Sequence, residues 1–385
     1  MNIILFDEPG VRLGLLPLTF TRPVALMRVG ILTILEKWNA RIEAQYSFDT
    51  QDYLSTKFPT RLSESETDIF VAGHVCPDDA LVEAVKALAP GDALVDAEGE
   101  TIARAGDGEP SRTVSFPATP LKIKRVTDVF TLNGEALKAD FELLTRGRES
   151  RPLSDTCRLV GDPSQLFIEE GARVECANIN VTGGPVYIGR HAEVMEGACL
   201  RGPIAMCEHS VVNMGGKIYG ATTLGPYCKV GGELNNVVMT GYSNKAHDGF
   251  LGNAVIGEWC NLGAGCTASN LKNTYGPVRL WSYVSGSFAK TDLQFCGLIM
   301  GDHSKAGINT MFNTATTVGV GVNFYGAGFP RTVLKSFTEG TPAGMKDTDM
   351  ERFFDTASRM MGRRHVTLTE ADKEIMIAIR ETGGI

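Results

Sequence analysis

His247 is the residue whose type and company best suit it to move a proton. It lies in the stretch 242–275, YSNKAHDGFLGNAVIGEWCNLGAGCTASNLKNTY, among asparagines, a lysine and closely spaced glycines. An imidazole with an ordinary pKa of about 6.5 can take a proton from a reacting group near neutral pH. Asn244, Asn261 and Asn270 offer amides for hydrogen bonding, and Lys245, Lys272 and Arg279 offer cations. Backbone N–H groups of a glycine-rich corner such as Gly263–Gly265 suit a developing oxyanion. No metal-ligand spacing accompanies these residues. The plain alternative is that a histidine in a glycine-rich loop only hydrogen-bonds its surroundings.

What must position these side chains is a repeat of period six. Ile188, Val194, Leu200, Met206, Val212, Ile218, Leu224 and Val230 fall at strict six-residue intervals. Ile168 and Val174 precede them in keeping with the same pattern, and the phase resumes at Ile256 and Leu262 and again at Met300, Ala306, Phe312, Val318 and Phe324. Small residues such as Ala192, Ala198, Thr222 and Cys228 recur four positions after the aliphatic. An aliphatic, glycine and small residue at period six is the hexapeptide signature of a parallel β-helix. Three hexads make one triangular coil, the aliphatic points inward and the small residue occupies a corner. Such a stack cannot cover its own ends and needs caps. The phase breaks at 231–250 and 267–295 predict two extruded loops, the first carrying His247 and the second Asn270, Lys272 and Arg279. His191 and His209 read as ordinary hexad positions, and His303 as a surface residue of a coil.

The chain has 385 residues with 43% hydrophobic and 21% charged, enough for two or three domains with real cores. A net charge of −8 offers no basic field to track a nucleic-acid backbone. Nine singly spaced cysteines, and Asp7 and Glu8 interrupting the apolar start, lead us to expect reduced thiols in a cytoplasmic protein without a secretory leader. No apolar run reaches a membrane-spanning length. Residues 1–155 read as an α/β domain with a mostly parallel sheet: a strand at MNIILF, helical spacing over Val29–Trp38, a strand at Ile69–Val71, a helix over Pro77–Leu88, a loop or hairpin over 97–118 and a helix over Val126–Leu144. The β-helix is expected over 160–335. Two helices, Met345–Gly362 and Thr369–Glu381, are expected within 340–385, the second opening on Thr369 and Asp372 as a capping-box-like start. The basic run 359–365 (RMMGRRH) reads most simply as a solvated helix end, or as a group reaching a phosphate across a subunit boundary.

The segment SNKAHDGFLGNAVIGEWCNLGAGCTASNLKN resembles the acetyltransferase half of the bifunctional enzymes that acetylate glucosamine 1-phosphate and uridylylate the product, whose pattern runs S-K-A-G-H-x-x-Y-x-G-D-x-x-I-G-x-x-x-N-x-G-A-G-T…N. The resemblance extends over 160–330 and is closest to the divergent bacterial and archaeal branch. It implies a left-handed β-helix, acetyl-CoA as acyl donor and a homotrimer. By position it implies His247 as catalytic base, Asn261 and Asn270 as sugar-binding, Ala264 as a backbone contact to the thioester, and Gly265, His303 and Ala327 beside the coenzyme. Phe250 stands where that family has tyrosine, and Asn235 or Asn236 near its substrate lysine; Lys245, Lys272 or Arg279 would substitute.

The N-terminal part resembles the opening of sugar-phosphate nucleotidyltransferases at Arg12, Pro17-Leu18-Thr19, Arg22-Pro23, Ala25-Leu26 and Val29-Gly30. The family's glycine loop is reduced to Asp7–Val11, the lysine after its proline is Val24, and His74 stands in place of the metal-binding aspartate. That implies a degenerate domain with Gly10, Arg12 and Arg22, and also Arg28, as its nucleotide contacts or simply as a solvated basic edge, and Mg²⁺ only if it remains active. Three functions follow: an acetyltransferase acting on an amino-sugar phosphate, a sugar-phosphate nucleotidyltransferase using UTP or dTTP, and a non-catalytic scaffold that binds nucleotide sugars.

Overall fold

The computed structural model describes residues 1–64 and 67–383; Gly384 and Ile385, the last of the expected C-terminal segment, lie outside the described residues. Contacts divide the chain into two units. The first comprises 1–15, 21–27 and 32–125; the second comprises 16–20, 28–31 and 126–385.

The first unit is built on a six-stranded sheet of β1 (Asn2–Phe6), β2 (Gln45–Asp49), β3 (Asp68–Ala72), β4 (Asp92–Val95), β5 (Thr101–Ala105) and β6 (Arg112–Ser115), in the order β2-β1-β3-β5-β4-β6. β1 pairs parallel with β2 and β3 and β4 with β6, whereas β5 is antiparallel to both β3 and β4, so the sheet is mixed. The strands expected at residues 1–6 and 69–71 are present. The stretch 97–118 joins the sheet through β5 and β6. Four helices accompany it: α1 (Pro9–Gly14), α2 (Ile34–Asn39), α3 (Asp52–Ser55) and α4 (Asp79–Lys86). α2 is shorter than the spacing over Val29–Trp38 predicts, because Thr33 forms a capping box with Glu36 and so sets the start. Asp78 caps α4 by accepting from the Leu81 N–H.

The second unit opens with α5 (Val126–Thr131) and α6 (Asn133–Thr145), two helices where the sequence suggested one. A parallel β-solenoid follows, in which successive coils stack into three columns of short strands, as in a left-handed β-helix. Every hexad aliphatic named above is buried in one continuous core. Column by column the inward residues stack: Ile179, Leu200, Ile218, Leu234 and Leu251 in one; Ile188, Met206, Leu224, Met239, Ile256 and Met300 in the next; Val194, Val212, Val230, Lys245, Leu262 and Ala306 in the third.

The first phase break is not an extruded loop. Residues 233–241 and 250–258 are nine-residue strands that stay in the stack, pairing with each other from Glu233↔Phe250 to Gly241↔Glu258. Val230 and Lys245 are direct partners fifteen residues apart, where Val212 and Val230 are partners eighteen apart. The chain loses period six by shortening its coil. The second break is an insertion: 279–282 and 287–290 form an antiparallel hairpin outside the columns.

One corner carries a column of rings. His191, His209, Tyr227, Tyr242, Trp259 and His303 stack face to face, with centroids 4.2–6.2 Å apart and planes within 21°. All six have φ of 53–60°, in the left-handed region that bulky residues avoid. The strain of about 1–2 kcal/mol per residue is comparable with about 0.5–1.5 kcal/mol for each aromatic pair, so stacking offsets it. His191 and His209 thus belong to the corner column, and buried His303 does not face a surface groove.

α7 (Met350–Gly362) and α8 (Glu370–Glu381) close the described chain. Asp349 caps α7, and Thr369 with Asp372 forms the capping box expected for α8. Phe353, Ala357 and Met361, spaced four apart, form the buried stripe of α7. Ala357 and Met361 pack with Trp259 and Leu368, and Tyr242, Phe354, Met360 and Val366 flank them. Phe353 meets His303 edge-on at 5.8 Å, beside Gly321 at φ +66°, where a Cβ would lie 3.0 Å from the Phe353 ring.

Candidate active site of the solenoid

His247 is exposed and lines a cleft of about 670 Å³ within the second unit. The strand partners Lys229↔Asn244, Asn244↔Asn261 and Asn261↔Lys305 give its floor, the outward side of the third column. Four coils therefore present Lys-Asn-Asn-Lys in a row. At about 4.8 Å per strand step the two amines' backbones lie about 14 Å apart, with two amides between. Leu262, Gly263, Ala264 and Ile308 form one wall. The other is α7: docking of its apolar stripe against Trp259 brings Arg359, Arg363 and Arg364 to the cleft together with Met360. The lining thus holds three arginines, two lysines and no carboxylate. Arg359 has a neighbour in Asp355 one turn back, both exposed.

The backbone under His247 is fixed. The Ala246 carbonyl accepts from Asn213 Nδ2 at 2.8 Å, and the Asp248 carbonyl from the Gly265 N–H at 3.0 Å. Gly249 closes the turn at φ +126°, and a Cβ there would lie 2.0 Å from the Cys266 carbonyl, so only glycine fits. Of the three amides expected to receive an oxyanion, Gly263 donates to the Ala306 carbonyl and Gly265 to Asp248, both at 3.0 Å. Ala264, which lines the cleft, is left with an N–H that has no acceptor among the described residues. Lys305 Nζ donates to the His303 carbonyl at 2.9 Å, and burial pushes its pKa below the usual lysine range.

The structure gathers His247, Asn244, Asn261 and Ala264 and disperses the rest. Lys245 is wholly buried, donates to the His247 and Asp248 carbonyls, and is closed to substrate. Asn270 lines another hollow, of about 410 Å³, with Asn235, Asn236, Asn253, Phe130 and Phe295. There it donates to Asn253 Oδ1 at 2.8 Å; with the Asn236 amide oriented to satisfy its neighbours, Asn253 Nδ2 donates to Asn236 at 3.0 Å and Asn236 donates to the Phe130 carbonyl at 2.8 Å. These amides satisfy one another as a ladder across coils. Phe250 is half-buried beside Asn270, since a Cβ on Gly252 would meet both. Lys272 donates to the Pro277 carbonyl at 2.7 Å and Arg279 to Phe288 at 2.6 Å, so both brace the inserted segment. Gly265 is packed against Asn309, His303 is within the ring column, and Ala327 is exposed beyond the residues that line the cleft. Lys229 and Lys305 were not identified as site residues from sequence, and the α7 arginines entered only through the alternative that the run 359–365 reaches a phosphate. The outward position preceding each third-column aliphatic would have pointed to Lys229 and Lys305.

In the first unit Arg12 and Arg22 are each 6% exposed. Arg12 bonds the Tyr53 hydroxyl and pairs with Asp7 at 3.9 Å; Asp7 in turn accepts from the Val24 N–H at 2.8 Å and the Thr50 hydroxyl at 2.6 Å. Gly10 is the second residue of α1, whose first is Pro9 and whose N-cap is Glu8. Arg28, equally buried in the second unit, bonds the Ile31 and Thr240 carbonyls. These arginines are interior framework, not a basic edge. His74 is buried, and burial, with Lys122 and Lys124 nearby, holds its pKa down to about 4. Its Nδ1 is buried without a hydrogen-bond partner among the described residues. Mg²⁺ takes oxygen ligands, so a buried imidazole flanked by two lysines does not fit it. Asp96, Glu98 and Glu100 could form an acidic group, but Lys122 bonds Asp96 and Glu100, and Lys124 bonds Glu100. Among the described residues no helix is long and apolar enough to cross a membrane.

Residues 3–149 match the family model described as sugar nucleotidyl transferase. Among curated proteins, the bifunctional protein GlmU of Geotalea uraniireducens (strain Rf4) is 25% identical over 215 residues, covering 50% of this chain and 45% of that one. The match thus spans less than half of that relative's length. Together the two support, at a coarse level, a GlmU-like transferase.

Proposed function

We propose that the solenoid moves an acetyl group from acetyl-CoA to the amine of an amino-sugar phosphate such as glucosamine 1-phosphate, with His247 as general base. The carrying observation is the cleft itself: an exposed imidazole over a Lys-Asn-Asn-Lys floor, walled by arginines and lined by no carboxylate. Both substrates carry phosphates, which this cation set would bind. Asn244 and Asn261 would hydrogen-bond sugar hydroxyls.

In the reaction the amine nitrogen attacks the thioester carbonyl and a C–N bond forms as His247 takes the amine's proton. The Ala264 N–H is the amide available to the tetrahedral oxyanion, a contribution of about 3–4 kcal/mol when such a donor is well aimed. Collapse breaks the C–S bond, and the imidazolium returns its proton to the thiolate, leaving amide and free coenzyme A. The chemistry needs no metal. Mixing the protein with acetyl-CoA and glucosamine 1-phosphate and following free thiol tests this reading. Equal inertness of wild type and His247→Ala on that acceptor and on a panel of aminated sugars would sink it.

A second reading, nucleotidyl transfer by the first unit, is favoured by the family match over 3–149. Pyrophosphate release from UTP or dTTP with a sugar 1-phosphate and Mg²⁺ would support it. Silence across nucleotides would end it. A cytoplasmic homotrimer is part of the main proposal, and light scattering on the purified chain tests the assembly.

A further inference from the structure

Lys245 occupies an inward position of the third column, in register with Val230. Val174, Val194, Val212, Val230, Leu262, Ala306 and Phe324 hold the equivalent positions of other coils, all buried and apolar. An aliphatic side chain therefore satisfies this column. A lysine there must desolvate an amine, which costs several kcal/mol unless hydrogen bonds compensate. Desolvation indeed pulls the Lys245 pKa below the usual lysine range. The amine finds the His247 carbonyl and, at 3.0 Å, the Asp248 carbonyl. Gly249 passes so near that a Cβ would lie 3.2 Å from Nζ. With Asn213 on Ala246 and Gly265 on Asp248, three consecutive carbonyls, 246–248, are tied. For the His247 carbonyl Lys245 is the donor the structure records.

We infer that Lys245 is a positioning residue for His247: from inside the solenoid its amine holds the carbonyls of residues 247 and 248 and so sets the imidazole over the cleft floor. This rests on His247 being the base. Displacing a reacting group by about 1 Å can cost ~100-fold in rate.

The test is Lys245→Met, which keeps length and removes the donors, with Lys245→Gln, which keeps an N–H donor, as the variant to use if Met fails to fold. Expected are a ~10- to 100-fold fall in kcat with KM for acetyl-CoA within about threefold, no further loss when Lys245→Met is added to His247→Ala, and partial recovery in Lys245→Gln. Amide exchange by mass spectrometry should quicken over 246–252 and at Gly265 while other coils stay protected. Wild-type kcat with unchanged exchange at 246–252 would overturn the inference, as would loosening of the whole solenoid. Should the wild type acetylate nothing, exchange still decides whether Lys245 orders this segment, and only the catalytic reading falls.

Discussion

The arginines of the first unit and those of the solenoid cleft are the same residue under opposite conditions. Arg12 is buried against Asp7 and Tyr53, partners supplied by its own unit. Arg363 and Arg364 line open space with Lys229 and Lys305, and that lining includes no carboxylate. A cation whose counter-charge is internal maintains a fold, whereas several cations gathered without one are arranged for an anion from outside. The histidines divide likewise: His74 is buried and held neutral, and His247 faces solvent.

This contrast can be broken most forcefully at His247. Replacing it with alanine should lower kcat/KM for acetyl transfer ~1000-fold, about 4 kcal/mol of transition-state stabilisation, read by thiol release. At His74 the expected effect is on stability. Its folded pKa of about 4 lies below the ordinary 6.5, so the unfolded chain binds more protons between those values and stability rises with pH across that window. On acidification from pH 6.5 to 4 the first unit should lose about 3 kcal/mol. His74→Gln should flatten that slope in denaturant titrations at pH 7 and 4.5. A parallel slope would mean that the imidazole is not held neutral.

The double variant Arg363→Ala with Arg364→Ala should raise the calorimetric Kd for coenzyme A about 10- to 100-fold, with little change in melting temperature. Arg12→Leu should do the reverse, lowering stability by about 2–4 kcal/mol and leaving coenzyme A binding alone. If both variants changed binding, the division would not hold. Smallest of all, Arg359→Ala removes an exposed i,i+4 pair with Asp355 and should cost only about 0.3–0.5 kcal/mol by thermal melting.

The solenoid was legible because period six is written by its own core: a residue that points inward at 188 must be followed by another every six residues, one on each face of the coil. His247 and Asn261 were legible through local motif. Lys245 misled because its type suggests solvent, although its register with Val230, fifteen residues back, places it inside. The α7 arginines were read most simply as a solvated end, with a phosphate contact as the alternative, because their approach to His247 depends on where the apolar stripe of α7 docks on Trp259, a hundred residues away. Asn270 was drawn from a motif without its neighbours Asn253 and Asn236, whose amides engage it. The ring column did have a signal. His191, His209, Tyr227, Tyr242, Trp259 and His303 each stand immediately before a small residue, in turn Ala192, Ser210, Cys228, Ser243, Cys260 and Ser304.

That column also gives the molecule an optical reporter. The three tryptophans fall in different places: Trp38 in the first unit, Trp281 in the inserted hairpin, and Trp259 sandwiched between Tyr242 and His303. With the other two replaced by phenylalanine, the emission of Trp259 would follow one coil beneath α7, brightening or shifting when α7 lifts or when a ligand settles in the cleft that Trp259 itself lines.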